Sequence, residues 1–338
     1  VEDIKSLKLN ANLSLEQRAN NELVYFWLAI QKKDYEKAQD YLVSATTLQP
    51  AANLIKENEA LLFIKNGKYI SAFNVFKNIF SQEKNGRYLL GMVEAYYGLP
   101  EVEKPEYSKE LLSILDAYTR VYYDYKKELL LAQIAIAHQL NEKVLYKDSV
   151  VQFFNVPCRL SSQFIKPSLL ISDSYIWSHF KDMTSTIMET LDNDEKLLFQ
   201  LHNFLEANLL SDAVEFVSVN SAKLNNEAIR TQMNLLLLDA QNRNAEVVAL
   251  EKLNLLDMNS ELNNLLIAKN KIEVDNHANI AEHLQFFDKK QNFFYKDWLK
   301  LESLIKMNSI VDLRAYIRDH FITIQNFKPV YVAKGLIN

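Results

Sequence analysis

Helical spacing of apolar positions organises this chain from its first readable segment. Residues 15–31, LEQRANNELVYFWLAIQ, form one such run, with Ser14 just ahead of it and Gln17 in its first turn placed as a capping box. A partner run covers about 34–48, and Pro50 marks its exit. A second pair occupies roughly 51–65 and 69–82. A third starts at Arg87-Tyr88-Leu89-Leu90, includes GMVEAYYGL (91–99), and has a turn expanded into PEVEKPEYS (100–108). Helices are expected to resume near 109–123 and 125–140. LSDAVEFV (210–217), NAEVVALEKL (244–253) and IVDLRAYIRDHF (310–321) have the pattern of second helices in further pairs. Phe287, Phe294, Trp298, Leu301 and Ile305 fall at offsets of 7, 11, 14 and 18, which is one helical face with the interleaved lysines mostly off it.

Glycine and proline usage makes the fold class all-α. There are five glycines, none between Gly98 and Gly335, and no proline between Pro167 and Pro329. Strand turns and phosphate loops need those residues, so the chain is read as helices joined by short polar links. Residues 149–180 break the pattern with Pro157, Pro167 and several serines, and read as a junction between two helical blocks, 1–150 and 151–326, with an irregular packed loop as the alternative. The tail, 327–338, reads as extended, because Pro329 disfavours helix before it and Val-Tyr-Val suits a strand.

Two segments match at a spacing of 34 residues. Tyr35 recurs as Tyr69, Ala38 as Ala72, Leu42 as Phe76 and Ala45 as Ile79. This spacing, with a small residue three positions after an aromatic one, resembles the tetratricopeptide repeat, whose unit is a helix–turn–helix. Tyr35, Ala38, Ala45 and Pro50 stand where that family prefers an aromatic, two small residues and proline, and Ala60, Tyr69, Ala72 and Phe76 do the same in the next unit. The resemblance is specific over about residues 20–98 and fades into divergent helical pairs beyond. Phe26 departs from the family's small residue, and Lys33 stands where Gly67 supplies the turn glycine, so looser or shifted packing is expected in the first repeat. The resemblance implies a right-handed solenoid of helical hairpins whose groove binds protein. The family's carboxylate-clamp positions fall on Leu23, Trp27, Glu57 and Leu61, so that clamp is missing. Tyr25 and Trp27 are the candidate partner-binding residues; the other reading places them in the core.

Charge and chemistry narrow the function further. The 338 residues carry 38 basic and 43 acidic side chains, for a net charge of −5, so no chain-wide nucleic-acid footprint is present. No run reaches the roughly 20 apolar residues of a membrane span, so no membrane insertion is expected. The single Cys158, beside Arg159, excludes an intramolecular disulfide and a multi-cysteine zinc site. No phosphate-loop or nucleophile-elbow spacing occurs, and His277 and His283, six apart, do not stack as metal ligands on a helix; both are expected at the surface or at a helix end. Asp192, Asp194 and Glu195 precede LLFQLHNFL and suit the first turn of a helix better than a metal site. The aromatic-basic stretch FFDKKQNFFYKDWLK (286–300) is read as core packing with a solvated lysine face; a partner-binding face is the next reading, and a stacking platform for nucleic acid or a membrane-surface helix the last.

The expectation is a non-catalytic scaffold or adaptor that binds protein partners, with no cofactor, metal or catalytic residue. Two other readings stand beside it. One is a helical regulatory domain of a larger bacterial cell-envelope or secretion protein, suggested by the leaderless Val1, an extended tail and an Asn- and Lys-rich composition. That start also favours an extracytoplasmic location over a cytoplasmic one. The other is an enzyme assembled from scattered helix residues.

Overall fold

The computed structural model describes residues 13–156, 187–253, 255–290 and 293–324. All regular elements among them are helical. They divide into two units, with the boundary after Leu115. Cys158, Arg159, the prolines at 157 and 167, and the tail 327–338 lie outside the described residues.

The first unit contains α1 (Leu15–Gln31), α2 (Tyr35–Leu48), α3 (Asn53–Lys65), α4 (Tyr69–Gln82), α5 (Gly86–Gly98) and the start of α6 (Lys104–Val121). The capping box forms as expected: Ser14 N donates to Gln17 Oε1 at 2.9 Å, and Gln17 N donates to Ser14 Oγ at 3.2 Å. Helices α1 and α2 pack as a hairpin, as do α3 and α4, and α4 also packs along α5. Ala38 and Ala45 are fully buried and let α2 close on α1, where Phe26 is equally buried. The first hairpin is therefore packed closely around Phe26 rather than loosely. The expanded turn ends sooner than 108, because α6 begins at Lys104 and takes Pro105 into its first turn, where a missing N–H costs nothing.

The second unit contains α7 (Lys126–Gln139), α8 (Lys143–Phe154), α9 (Asn193–Glu206), α10 (Leu210–Asn220), α11 (Glu227–Ala240), α12 (Asn244–Lys252), α13 (Glu261–Glu273), α14 (Ile280–Leu284), α15 (Phe294–Lys306) and α16 (Ile310–Ile324). These pack pairwise, α7 with α8, α9 with α10, α11 with α12, α13 with α14, and α15 with α16. Residues 149–154, expected to open the junction, instead complete α8. The single helical face expected from Phe287 to Ile305 is also interrupted. Phe287 closes a short 3-10 turn, Gln285–Phe287, and α15 starts only at Phe294.

One turn recurs through both units. Lys33, Gly67, Asn141, Asn208, Asn242, Asp275 and Asn308 all have positive φ, between 51° and 70°. At each, the residue's own N–H reaches the carbonyl three back, and the following N–H reaches the carbonyl five back. Examples are Lys33 to Ile30 with Asp34 to Ala29, and Asn242 to Asp239 with Arg243 to Leu238. This is the Schellman closure, which satisfies the last carbonyls of a helix. Asn208, Asn242, Asp275 and Asn308 follow one another at 34, 33 and 33 residues, and Lys33 precedes Gly67 by 34. Asn141 precedes Asn208 by 67, twice the period. Glycine appears once in the series; asparagine and aspartate carry most of it because their short polar side chains tolerate the left-handed region.

Candidate functional site

The candidate surface residues of the first unit are half-buried. Tyr25 stacks on Tyr41, with centroids 5.4 Å apart and planes 24° from parallel. Trp27 meets Phe26 edge-on at 5.5 Å and packs against the α1–α2 core. They therefore bridge core and surface, neither lining an open groove alone nor sealed inside. The packing residues divide more sharply. Ala38, Ala45, Ala60, Ala72 and Phe76 are fully buried, Tyr35 packs against the core from its edge, and Pro50 is exposed in the turn after α2. Tyr69 and Phe76, seven apart on α4, seat their rings on Gly98 and Gly91 of α5. A Cβ at Gly91 would lie 2.4 Å from the Phe76 ring, and one at Gly98 would lie 2.1 Å from the Tyr69 ring.

Three of the four clamp positions are buried, and the fourth, Trp27, is half-buried. Leu23 and Leu61 are buried, and Glu57 forms a buried ion pair with Arg87 Nε at 2.5 Å. Burial, with the charges of Glu57 and Glu83 beside it, holds the Tyr88 phenol well above its ordinary range. Arg87 and Glu57 thus act as an internal strut between α3 and α5, a role the sequence did not disclose because the two lie 30 residues apart.

The second unit holds several of its charges in buried or half-buried clusters. Glu261 of α13 accepts from the Tyr123 hydroxyl at 2.6 Å and from Lys290 at 2.8 Å, with Lys126 at 3.7 Å. Burial pushes the Lys126 ammonium down to about 8, opposed by Glu261 and assisted by Lys290. The ammonium also sits 4.2 Å from the centre of the Tyr123 ring. A second cluster joins Lys127, His202 and Glu206; Lys127 Nζ lies 3.1 Å from His202 Nδ1 and 2.7 Å from Glu206. Burial, then Lys127, holds that imidazole well below its usual range.

A third cluster surrounds His283, which stands in the last turn of α14, a helix end as expected, but buried against Lys271, Glu251 and Asn264 rather than at the surface. The acidic cluster behaves as expected. Asp192 Oδ1 accepts from Glu195 N at 2.8 Å in a second capping box, and Asp194 accepts from the N–H groups of Asn225 and Asn226. In the aromatic-basic stretch, Lys290 and Lys296 are paired with Glu261 and Asp288. Those lysines are held by carboxylates and do not form a cationic row.

Chemically, these clusters place cations on carboxylates and amides on carbonyls, an arrangement that fixes helices to each other. Among the described residues no set of His, Cys, Asp or Glu is grouped to hold a metal ion. No helix there is long and apolar enough to cross a membrane. No protein-family model matches this chain, and no curated protein matches it.

Proposed function

We propose that this chain is a tetratricopeptide-like array of helical hairpins acting as a non-catalytic protein-binding scaffold. The observation that carries the reading is the left-handed turn recurring at 33–34 residues in both units, far beyond the 20–98 segment where the residues themselves resemble the family. Hairpins closed by one repeated turn place equivalent side chains at regular intervals, and such arrays bind through the surface those intervals create. The seating of Tyr69 and Phe76 on Gly98 and Gly91 agrees with the family's use of small residues to admit large ones from the adjoining helix.

In this reading Tyr25 and Trp27 are the aromatic anchors, since each is half-buried beside the α1–α2 core. The test is capture of a defined protein partner by the wild-type chain beside a Tyr25→Ala/Trp27→Ala variant with unchanged helicity and melting. Loss of that partner in the variant supports the reading. Capture that is unchanged by the variant removes the anchors, and no specific partner for the wild-type chain removes the scaffold.

A further inference from the structure

The Lys271–His283–Glu251 cluster has a hydrogen-bond logic that admits only one neutral form. Asn264 Nδ2 donates to the carbonyls of Met258 at 2.7 Å and Ser260 at 2.9 Å, which points its Oδ1 at His283 Nδ1, 3.0 Å away. An acceptor there requires a proton on Nδ1. Neutral His283 therefore presents a lone pair at Nε2, and Lys271 Nζ donates to it at 3.0 Å. The same ammonium donates to Glu251 Oε1 at 2.9 Å and to the Ala278 carbonyl at 3.2 Å, which uses all three of its protons. Glu251 Oε1 is also 3.1 Å from His283 Nε2.

A proton added to Nε2 converts it from acceptor to donor. It then faces Lys271 with like charge and Glu251 with an available acceptor, so the ammonium loses one partner and is driven from another. The ammonium's shift strains its link to the Ala278 carbonyl and so loosens the loop 275–279 and the five-residue α14, which is too short to hold its shape without tertiary contacts and keeps only the buried Ile280 and Leu284 as anchors.

We propose that His283 is a proton switch that fastens α14 and its preceding loop to α13 at neutral pH and frees them in mild acid. The charged and titratable groups facing it are Lys271 from α13, Glu251 from α12 and Glu282 from α14 itself. Burial, followed by Lys271, lowers the folded-state pKa below the ordinary 6.5, against the smaller pull of Glu251 and Glu282. The freed corner consequently binds more protons than the fastened one once pH falls below 6.5. Its opening constant rises by up to about tenfold per pH unit until the folded-state pKa is reached. Unit 2 thereby responds to acidity at one corner, a property independent of whether the chain is a scaffold.

The experiment is amide hydrogen exchange over 275–284 between pH 7.5 and 5, corrected for intrinsic rates, with the His283 titration followed by its ring proton resonances. The expected results are a His283 midpoint below 6.5 and protection over 275–284 that falls with acid. In His283→Gln the pH dependence is lost. In Lys271→Met the midpoint rises, because the repelling ammonium is gone and Glu251 remains. A midpoint at or above 6.5 in the wild-type protein overturns the proposal, as does the same acid-dependent loss in His283→Gln. The wild-type titration and Lys271→Met decide the matter even where His283→Gln folds poorly.

Discussion

Alanine at Gly91 sets two opposed effects against each other. Glycine in a helix interior is worse than alanine by about 1 kcal/mol, so on propensity alone the change stabilises α5. The added Cβ, however, would lie 2.4, 2.5 and 2.6 Å from three atoms of the Phe76 ring. Ordinary carbon contacts begin near 3.5 Å, so the ring must retreat by about 1 Å. Phe76 is fully buried, with Ala72, Phe73 and Ile79 of its own helix equally closed off from solvent. Overpacking of this kind costs about 1–3 kcal/mol, and three ring atoms meeting one methyl belong in the upper part of that range. The net expectation is destabilisation by about 1–2 kcal/mol, a fall of roughly 5–10 °C in the melting transition of a unit this size.

Two companions isolate the cause. Gly98→Ala meets the Tyr69 ring at 2.1 Å, but Tyr69 is half-buried and less confined than the sealed Phe76, so this variant should stay within about 0.5 kcal/mol of wild type. Phe76→Leu removes the outer ring atoms, so Gly91→Ala in that background should cost far less, giving a coupling energy of about 1 kcal/mol in a urea double-mutant cycle. The seating of aromatic rings on glycines would be refuted by Gly91→Ala equalling or exceeding wild-type stability, or by an equal loss in the Phe76→Leu background.

Two further outcomes follow from the second unit. Lys126, held down to about 8 when folded against an ordinary value near 10.5, is protonated more in the unfolded than the folded chain between those pH values, so its contribution to stability rises with pH there. Lys126→Met should therefore flatten the rise in urea midpoint from pH 8 to 10, and an unchanged slope would refute the assignment. Asn242, with φ at 56°, should accept glycine with little change, whereas valine should cost about 1–2 kcal/mol by chemical denaturation, and a tolerated valine would refute the turn's role.

What the residues disclosed, and what they withheld, has a physical division. Helix existence was legible because apolar periodicity and caps are local; Ser14 with Gln17 and Asp192 with Glu195 could be read without any tertiary knowledge. Where a helix stops is decided by packing as much as by sequence, so an apolar period from Phe287 to Ile305 concealed the interruption before Phe294, which no glycine or proline marks. The buried pairs were illegible for another reason. Lys271 and His283 lie 12 residues apart, Glu251 another 20 before Lys271, and nothing local couples them.

The repeated turn lies between these cases. Its backbone was recognisable at Gly67, where only glycine relieves the left-handed strain entirely, and it extended to Lys33 through the 34-residue spacing alone. In the second unit the same conformation is borne by Asn141, Asn208, Asn242, Asp275 and Asn308, so a search for glycines finds nothing there. Asparagine and aspartate at a 33–34 residue interval were the available signal. The turn persists while the residues around it change because the Schellman closure uses main-chain donors and acceptors, which any sequence supplies. Only the left-handed residue itself is chemically restricted, and a solvent-facing Asn tolerates that restriction, with some residual strain offset by a smaller entropic cost in the unfolded chain than glycine's. Repetition in this chain is therefore carried by backbone geometry over a longer span than by side chains, and the 34-residue match near the N-terminus is its most conspicuous stretch.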